Sequence, residues 1–147
     1  MSITHDYNQI INNLYVGNIN SIKYGNSFSL IVNCTNDIPF PENYNNEKIR
    51  ISVKDDPSES ENMLRQIQQT RVLDKIHSVL QQGKNVLIHC YAGIQRSCAV
   101  LACYLMKYYV ISPDSVISFI QERRAVAFFG NCNFKNTIQW FYQSIQK

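Results

Sequence analysis

The chain has 147 residues and lacks any apolar run near the roughly 18–20 residues that a membrane-spanning helix needs. Met1 to Asp6 have neither the basic start nor the apolar core of a secretory signal, so a cytoplasmic setting is expected, with the nucleus also open. Its five cysteines (Cys34, Cys90, Cys98, Cys103 and Cys132) are odd in number and form no CxxC pair. That argues against a disulfide scaffold or a zinc site and for a reducing compartment. Lysine and arginine outnumber the acids by 14 to 11, but they are scattered, so no polybasic surface for nucleic acid or membrane is expected. Repeats, linkers and low-complexity stretches are missing too. Residues 1–147 are therefore expected to be one domain, with 45% apolar composition sufficient for a core.

What is present alternates between strand and helix patterns. Asn13 to Gly17 reads as a short strand stopped by glycine, and Asn20 to Gly25 as one helical turn. Phe28 to Asn33 is a nearly continuous apolar run and Val86 to Ile88 a second apolar run, the mark of strands buried on both faces. Ile49, Ile51 and Val53 alternate with polar residues, predicting a strand with one covered face. Leu64, Ile67, Leu73, Ile76 and Leu80 recur at helical spacing, with Gly83 where a C-terminal cap belongs. A helix apolar on almost every face is expected from Ser97 to Val110. Ser112-Pro113 should cap a helix ending at Arg123-Arg124, and a last helix should run from Phe134 to Ile145. Buried strands alternating with helices predict an α/β domain with a parallel-dominated sheet covered on both sides.

The stretch from His89 to Ser97 carries the chemistry. A strand that turns at once into a helix leaves several backbone N–H groups facing one concavity, and such a nest binds an oxyanion. Gly93 permits the tight turn, and the planar fork of Arg96 can grip two phosphate oxygens. Tyr91, Ala92, Gly93, Ile94, Gln95 and Arg96 are the candidate phosphate-binding residues. Cys90 makes the loop reactive. The nest and cation that hold a phosphate dianion also stabilise a thiolate, which attacks phosphorus to give a cysteinyl-phosphate for water to hydrolyse. Ser97 is placed to hydrogen-bond the sulfur and help it leave, and His89 to orient the loop rather than act as a base. The leaving oxygen needs a proton from elsewhere. Asp55 and Asp56 follow a strand, and Asp55 falls on the same side of the alternation as Ile51 and Val53. Asp55 is preferred, and Asp56 is the alternative acid.

His-Cys-x-x-Gly-x-x-Arg-Ser resembles the signature of the cysteine-dependent protein tyrosine phosphatases. Asn13-Leu14-Tyr15-Val16-Gly17-Asn18, Ile31-Val32-Asn33-Cys34-Thr35, Tyr104-Leu105-Met106 and Asn131-x-x-Phe134 extend the resemblance to the small, atypical dual-specificity branch over nearly the whole chain. It implies a mostly parallel sheet of four or five strands flanked by helices, and a phosphatase of phosphotyrosine and phosphoserine or phosphothreonine. It further implies Cys90 as nucleophile, Arg96 as phosphate clamp, Asp55 as acid, Ser97 as helper, and no metal or cofactor. The partners expected are phosphorylated proteins, acted on by a monomer or weak homodimer. Two departures stand out. Gln95 occupies a position where Ser is common, and Gly130-Asn131 replaces Pro-Asn after an unusually apolar Ala125–Phe129 segment.

The same loop serves RNA 5′-triphosphatases and phosphoinositide phosphatases. The first should have a more basic surround, and the second resemble loops with lysines, whereas Cys90 to Arg96 contains none. A non-catalytic phosphate reader would normally have lost the nucleophile or the acid. Arg123 and Arg124 have two readings, favourable interaction with a helix C-terminus or attraction of an acidic substrate. Phe128 and Phe129 are either core or a lip of the pocket. The other four cysteines read as small buried hydrophobes.

Overall fold

The computed structural model describes residues 5–146, so the expectation about Met1 to Thr4 lies outside the described residues. Its central strand, β5 (Val86–His89), is wholly buried, as a continuous apolar run requires. β5 pairs in parallel with β2 (Leu14–Gly17) on one side and β3 (Leu30–Asn33) on the other. β4 (Glu47–Arg50) extends the parallel set beyond β3. β1 (Tyr7–Ile11) adds an antiparallel edge next to β2, giving the order β1-β2-β5-β3-β4.

The edge strand β1 was not evident from the sequence, because Tyr7-Asn8-Gln9-Ile10-Ile11 does not alternate cleanly and its ladder is irregular between Gln9 and Ile11. β4 also differs from expectation. The ladder stops at Arg50, although Ile51 and Val53 are fully buried. One last bond, from Ile51 N to Asn33 O at 2.9 Å, follows it. The alternation thus reflects a buried extended segment beyond the strand rather than the strand itself.

The α-helices gather on one face of the sheet, against Leu14, Val16, Leu30, Val32, Val86 and Ile88. Alternate residues Tyr7, Tyr15, Ile31 and Leu87 face the opposite way. There they pack with Phe28, Phe40 and Tyr44 beside the 3-10 helix Ile19–Ser27. Edge-on aromatic pairs, such as Tyr7–Tyr15 at 5.6 Å and Tyr15–Phe28 at 5.5 Å, close that second layer.

The single helical pattern expected between Leu64 and Leu80 is two helices, α1 (Ser60–Thr70) and α2 (Val72–Gln81). They are separated by Arg71 in the left-handed conformation at φ 56°. Neither Gly nor Pro marks that break, so sequence periodicity runs through it. α3 (Arg96–Tyr109) is buried from Arg96 through Met106, the expected central helix. α4 (Pro113–Arg123) starts with the foreseen Ser112 cap and α5 (Lys135–Ile145) buries Ile138 and Phe141. The C-terminal ends of β3, β4 and β5 lie at one edge of the sheet, where an open α/β sheet places its site. Among the described residues, no helix is long and apolar enough to cross a membrane.

Candidate active site

Between the end of β5 and the start of α3, the backbone is organised by its carbonyls. His89 O accepts from Cys34 N at 2.8 Å, and Tyr91 O from Ile19 N at 2.8 Å. Arg124 donates Nε to Gly93 O at 2.7 Å and Nη2 to Ala92 O at 3.4 Å. Ile94 O accepts from Phe128 N at 2.8 Å, and Gln95 O from Ala99 N at 2.9 Å. Cys90 O faces His89 Nδ1 at 3.4 Å. With these carbonyls engaged by the surrounding protein, the amides from Tyr91 to Arg96 find no acceptor among the described residues. Unpaired donors at a helix N-terminus form an anion site.

The turn requires glycine at position 93, and Gly17 beneath it is required by its own neighbours. Gly93 has φ +69°, and a Cβ there would come within 2.6 Å of Arg124 Nη2 and 2.7 Å of Gly17 C. A Cβ on Gly17 would meet Asp6 O at 2.6 Å. The loop therefore rests on the end of β2, where Cys90 N donates to Gly17 O at 3.3 Å.

Cys90 Sγ lies 3.2 Å from Ser97 Oγ. Arg96 is buried; Nη1 donates to Val53 O at 3.0 Å, while Nε is buried with no partner. A buried unpaired guanidinium donor is costly unless a ligand oxygen takes it. His89 is fully buried, and burial pulls its pKa down to about 4, so the ring is neutral near pH 7. Nδ1 therefore carries the hydrogen that faces Cys90 O, and buried Nε2 is unpartnered. The ring thus contacts the loop backbone at its first residue, Cys90.

The two acids separate clearly. Asp56 caps the short 3-10 turn Pro57–Glu59, accepting from Ser58 N at 2.9 Å and from Ser58 Oγ. Those bonds hold its carboxyl below the usual range. Asp55 instead accepts from Asn133 Nδ2 at 3.0 Å, on the segment before α5. That segment is fixed to the loop by Gln95. Asn133 N donates to Gln95 Oε1 at 2.9 Å, and Gln95 Nε2 donates to Phe129 O at 3.4 Å and to Asn131 O.

Other candidates resolve in different ways. Arg124 does cap the C-terminal end of α4, but its side chain, 1% exposed, turns inward and braces the loop, also bonding Asn8 Oδ1 at 2.7 Å. No sequence signal links it to Gly93. Arg123 donates to Phe119 O at 3.0 Å near the end of its helix. Phe128 is buried at φ 59°, and Phe129 is 75% exposed, so one is core and the other is surface. Tyr91 is also 59% exposed. Burial raises the pKa of Cys34, Cys98 and Cys103, as inert thiols require; Cys98 Sγ reaches Gly93 O at 3.6 Å, adding to the brace. Among the described residues there is no group of three or more His, Cys, Asp or Glu arranged to hold a metal.

The family model described as "Dual specificity phosphatase, catalytic domain" matches residues 14–144. Over 122 residues the chain is 34% identical to "Putative tyrosine phosphatase 123R" of Invertebrate iridescent virus 6, covering 82% of this chain and 81% of that protein. It is 34% identical over 71 residues to "Dual specificity protein phosphatase 1B" of Arabidopsis thaliana, covering 48% of this chain and 42% of that one. The crystal structure of human DUSP28 superposes with a TM-score of 0.85 at 22% identity, covering 99% of this chain and 98% of that chain.

Proposed function

Because the chain belongs to the dual specificity phosphatase catalytic-domain family, and is thus a cysteine-dependent protein phosphatase, we propose that Cys90 is its nucleophile, Arg96 its phosphate clamp and Asp55 its general acid. The phosphoryl group of a phosphorylated protein enters the ring of free amides from Tyr91 to Arg96, and Arg96 Nε donates to one of its oxygens. Cys90 Sγ forms the S–P bond as the P–O bond to the leaving group breaks, and Asp55 gives its proton to the departing oxygen. Water then attacks phosphorus. Asp55, now a carboxylate, accepts the proton of that water, and Ser97 Oγ donates a hydrogen bond to the departing thiolate. Inorganic phosphate is released and the enzyme returns to its starting state. The substrates are phosphotyrosine and phosphoserine or phosphothreonine side chains.

The observation that carries this reading is the run of six amides without an acceptor that begins one residue after a cysteine. The preference for Asp55 over Asp56 rests on Asp56 being occupied as a helix cap. A lack of lysine from Cys90 to Arg96 favours phosphoprotein over phosphoinositide. Five free thiols suit a reducing compartment, the cytoplasm or nucleus. We take the working unit to be 1–147 as one catalytic domain, a monomer or weak homodimer. The test is a side-by-side assay of phosphotyrosine and phosphothreonine peptides, phosphoinositides and 5′-triphosphate RNA. Preferential release of phosphate from the peptides is expected. Preferential turnover of RNA or lipid would overturn the substrate assignment.

A further inference from the structure

A hydrogen-bonded chain joins the phosphate loop to the acid. It runs from Gln95 on the loop, through Asn133 N to Gln95 Oε1 at 2.9 Å, to Asn133 Nδ2 and Asp55 Oδ1 at 3.0 Å. The amide orientations are mutually determined. Asn131 Nδ2 donates to Asn133 Oδ1 at 2.9 Å, so only Asn133 Nδ2 is left to face the carboxyl. Gln95 Oε1 accepts a backbone N–H, so its Nε2 must point at the carbonyls of Phe129 and Asn131. Gln95 is buried, and the segment it holds follows Phe128, a non-glycine residue at positive φ whose conformation needs such outside support. The second tie between the acid segment and the loop is Arg96 Nη1 to Val53 O, two residues before Asp55.

We propose that Asn133, held by Gln95, is the positioning residue for the general acid, resting on the assignment of that role to Asp55. Its donor occupies Oδ1, which leaves Oδ2 as the oxygen that carries the proton and passes it to the leaving group. Asn133 touches neither phosphate nor leaving group; it acts by fixing the direction of the carboxyl. The gap between Arg96 and Asp55 is thus spanned twice, once at Val53 and once through Gln95 and Asn133. The two departures noted in the sequence, Gln95 and the Gly130-Asn131 segment, are in contact here.

The test compares an aryl phosphate with a good leaving group, para-nitrophenol, and an alkyl phosphate with a poor one. Asn133→Ala should lower kcat for the poor leaving group by about tenfold, a fraction of what a general acid supplies. KM and the good leaving group should change far less. In an Asp55→Asn background the same substitution should add nothing. Equal slowing of both substrates, or an undiminished effect in the Asp55→Asn background, would overturn the positioning role. If Asp55→Asn itself has no leaving-group dependence, the acid assignment fails, a result distinguishable from failure of the relay. Asn133→Asp keeps the side-chain size if the alanine variant folds poorly. By setting a carboxylate against Asp55 it should keep the acid protonated to higher pH and move the alkaline limb of the poor leaving group's pH profile upward, and an unmoved limb in a well-folded Asn133→Asp variant would also overturn the proposal.

Discussion

At Cys90 the sulfur has one side-chain neighbour of consequence, Ser97 Oγ at 3.2 Å. A hydroxyl donating to sulfur matters most when the thiolate must leave phosphorus, in the second step. Ser97→Ala should therefore let phosphoenzyme accumulate. Stopped-flow assays with para-nitrophenyl phosphate should show a burst of product followed by a slower steady state, with the burst absent from wild type. A uniformly slowed first turnover with no burst would contradict this role. Gly93 makes a different demand. Its positive φ and the 2.6 Å approach that a Cβ would make to Arg124 Nη2 predict that Gly93→Ala costs about 1–3 kcal/mol in stability as well as activity, measured by denaturant titration.

The β5–α3 turn works as an element because its carbonyls are spent on the outside. Arg124, one residue past the end of α4, supplies two of those contacts and two more toward the first strand. Arg124→Ala would strand the buried carbonyl of Gly93 and remove the partner of the Ala92 carbonyl. It should cost about 2–4 kcal/mol of stability, as breaking a buried charged network does. Arg124→Lys should not restore it, since an ammonium lacks the fork that reaches both carbonyls and Asn8. A thermal melt of each variant decides, and a lysine variant as stable as wild type would contradict the brace. This element was half legible beforehand. Cys90, Gly93, Arg96 and Ser97 could be read because their chemistry is local to one turn. Arg124 and Asn133 could not, because their partners are 31 and 78 residues away and nothing in spacing points to them. The same limit hid the break at Arg71 and the edge strand β1, where neither turn residues nor clean periodicity mark the boundary.

Across the whole molecule, the parallel sheet was legible because β3 and β5 are apolar at every position except Asn33 and His89, both at the C-terminal, active edge. His89 makes that edge sensitive to acid. Its folded pKa of about 4 lies below the unfolded value of about 6.5. The unfolded chain therefore binds the proton first as pH falls. The stability from a neutral buried His89 is complete above pH 6.5 and is lost progressively toward pH 4, by up to about 3 kcal/mol. His89→Asn should flatten this part of the stability–pH curve measured by urea unfolding, and an unchanged slope would refute the assignment. A neutral ring also predicts no His89 ionisation in the activity profile near pH 6.5.

The central claim is covalent catalysis at Cys90, and the most direct measurement is rapid acid quench of the working enzyme followed by peptide mass analysis. Under turnover of a phosphotyrosine peptide, the fragment holding Cys90 should carry the added mass of one phosphoryl group, more so in Ser97→Ala. Cys90→Ser should reduce turnover by about four orders of magnitude or more while still binding the peptide. A phosphoryl group found on another residue, or undiminished turnover by Cys90→Ser, would contradict the account.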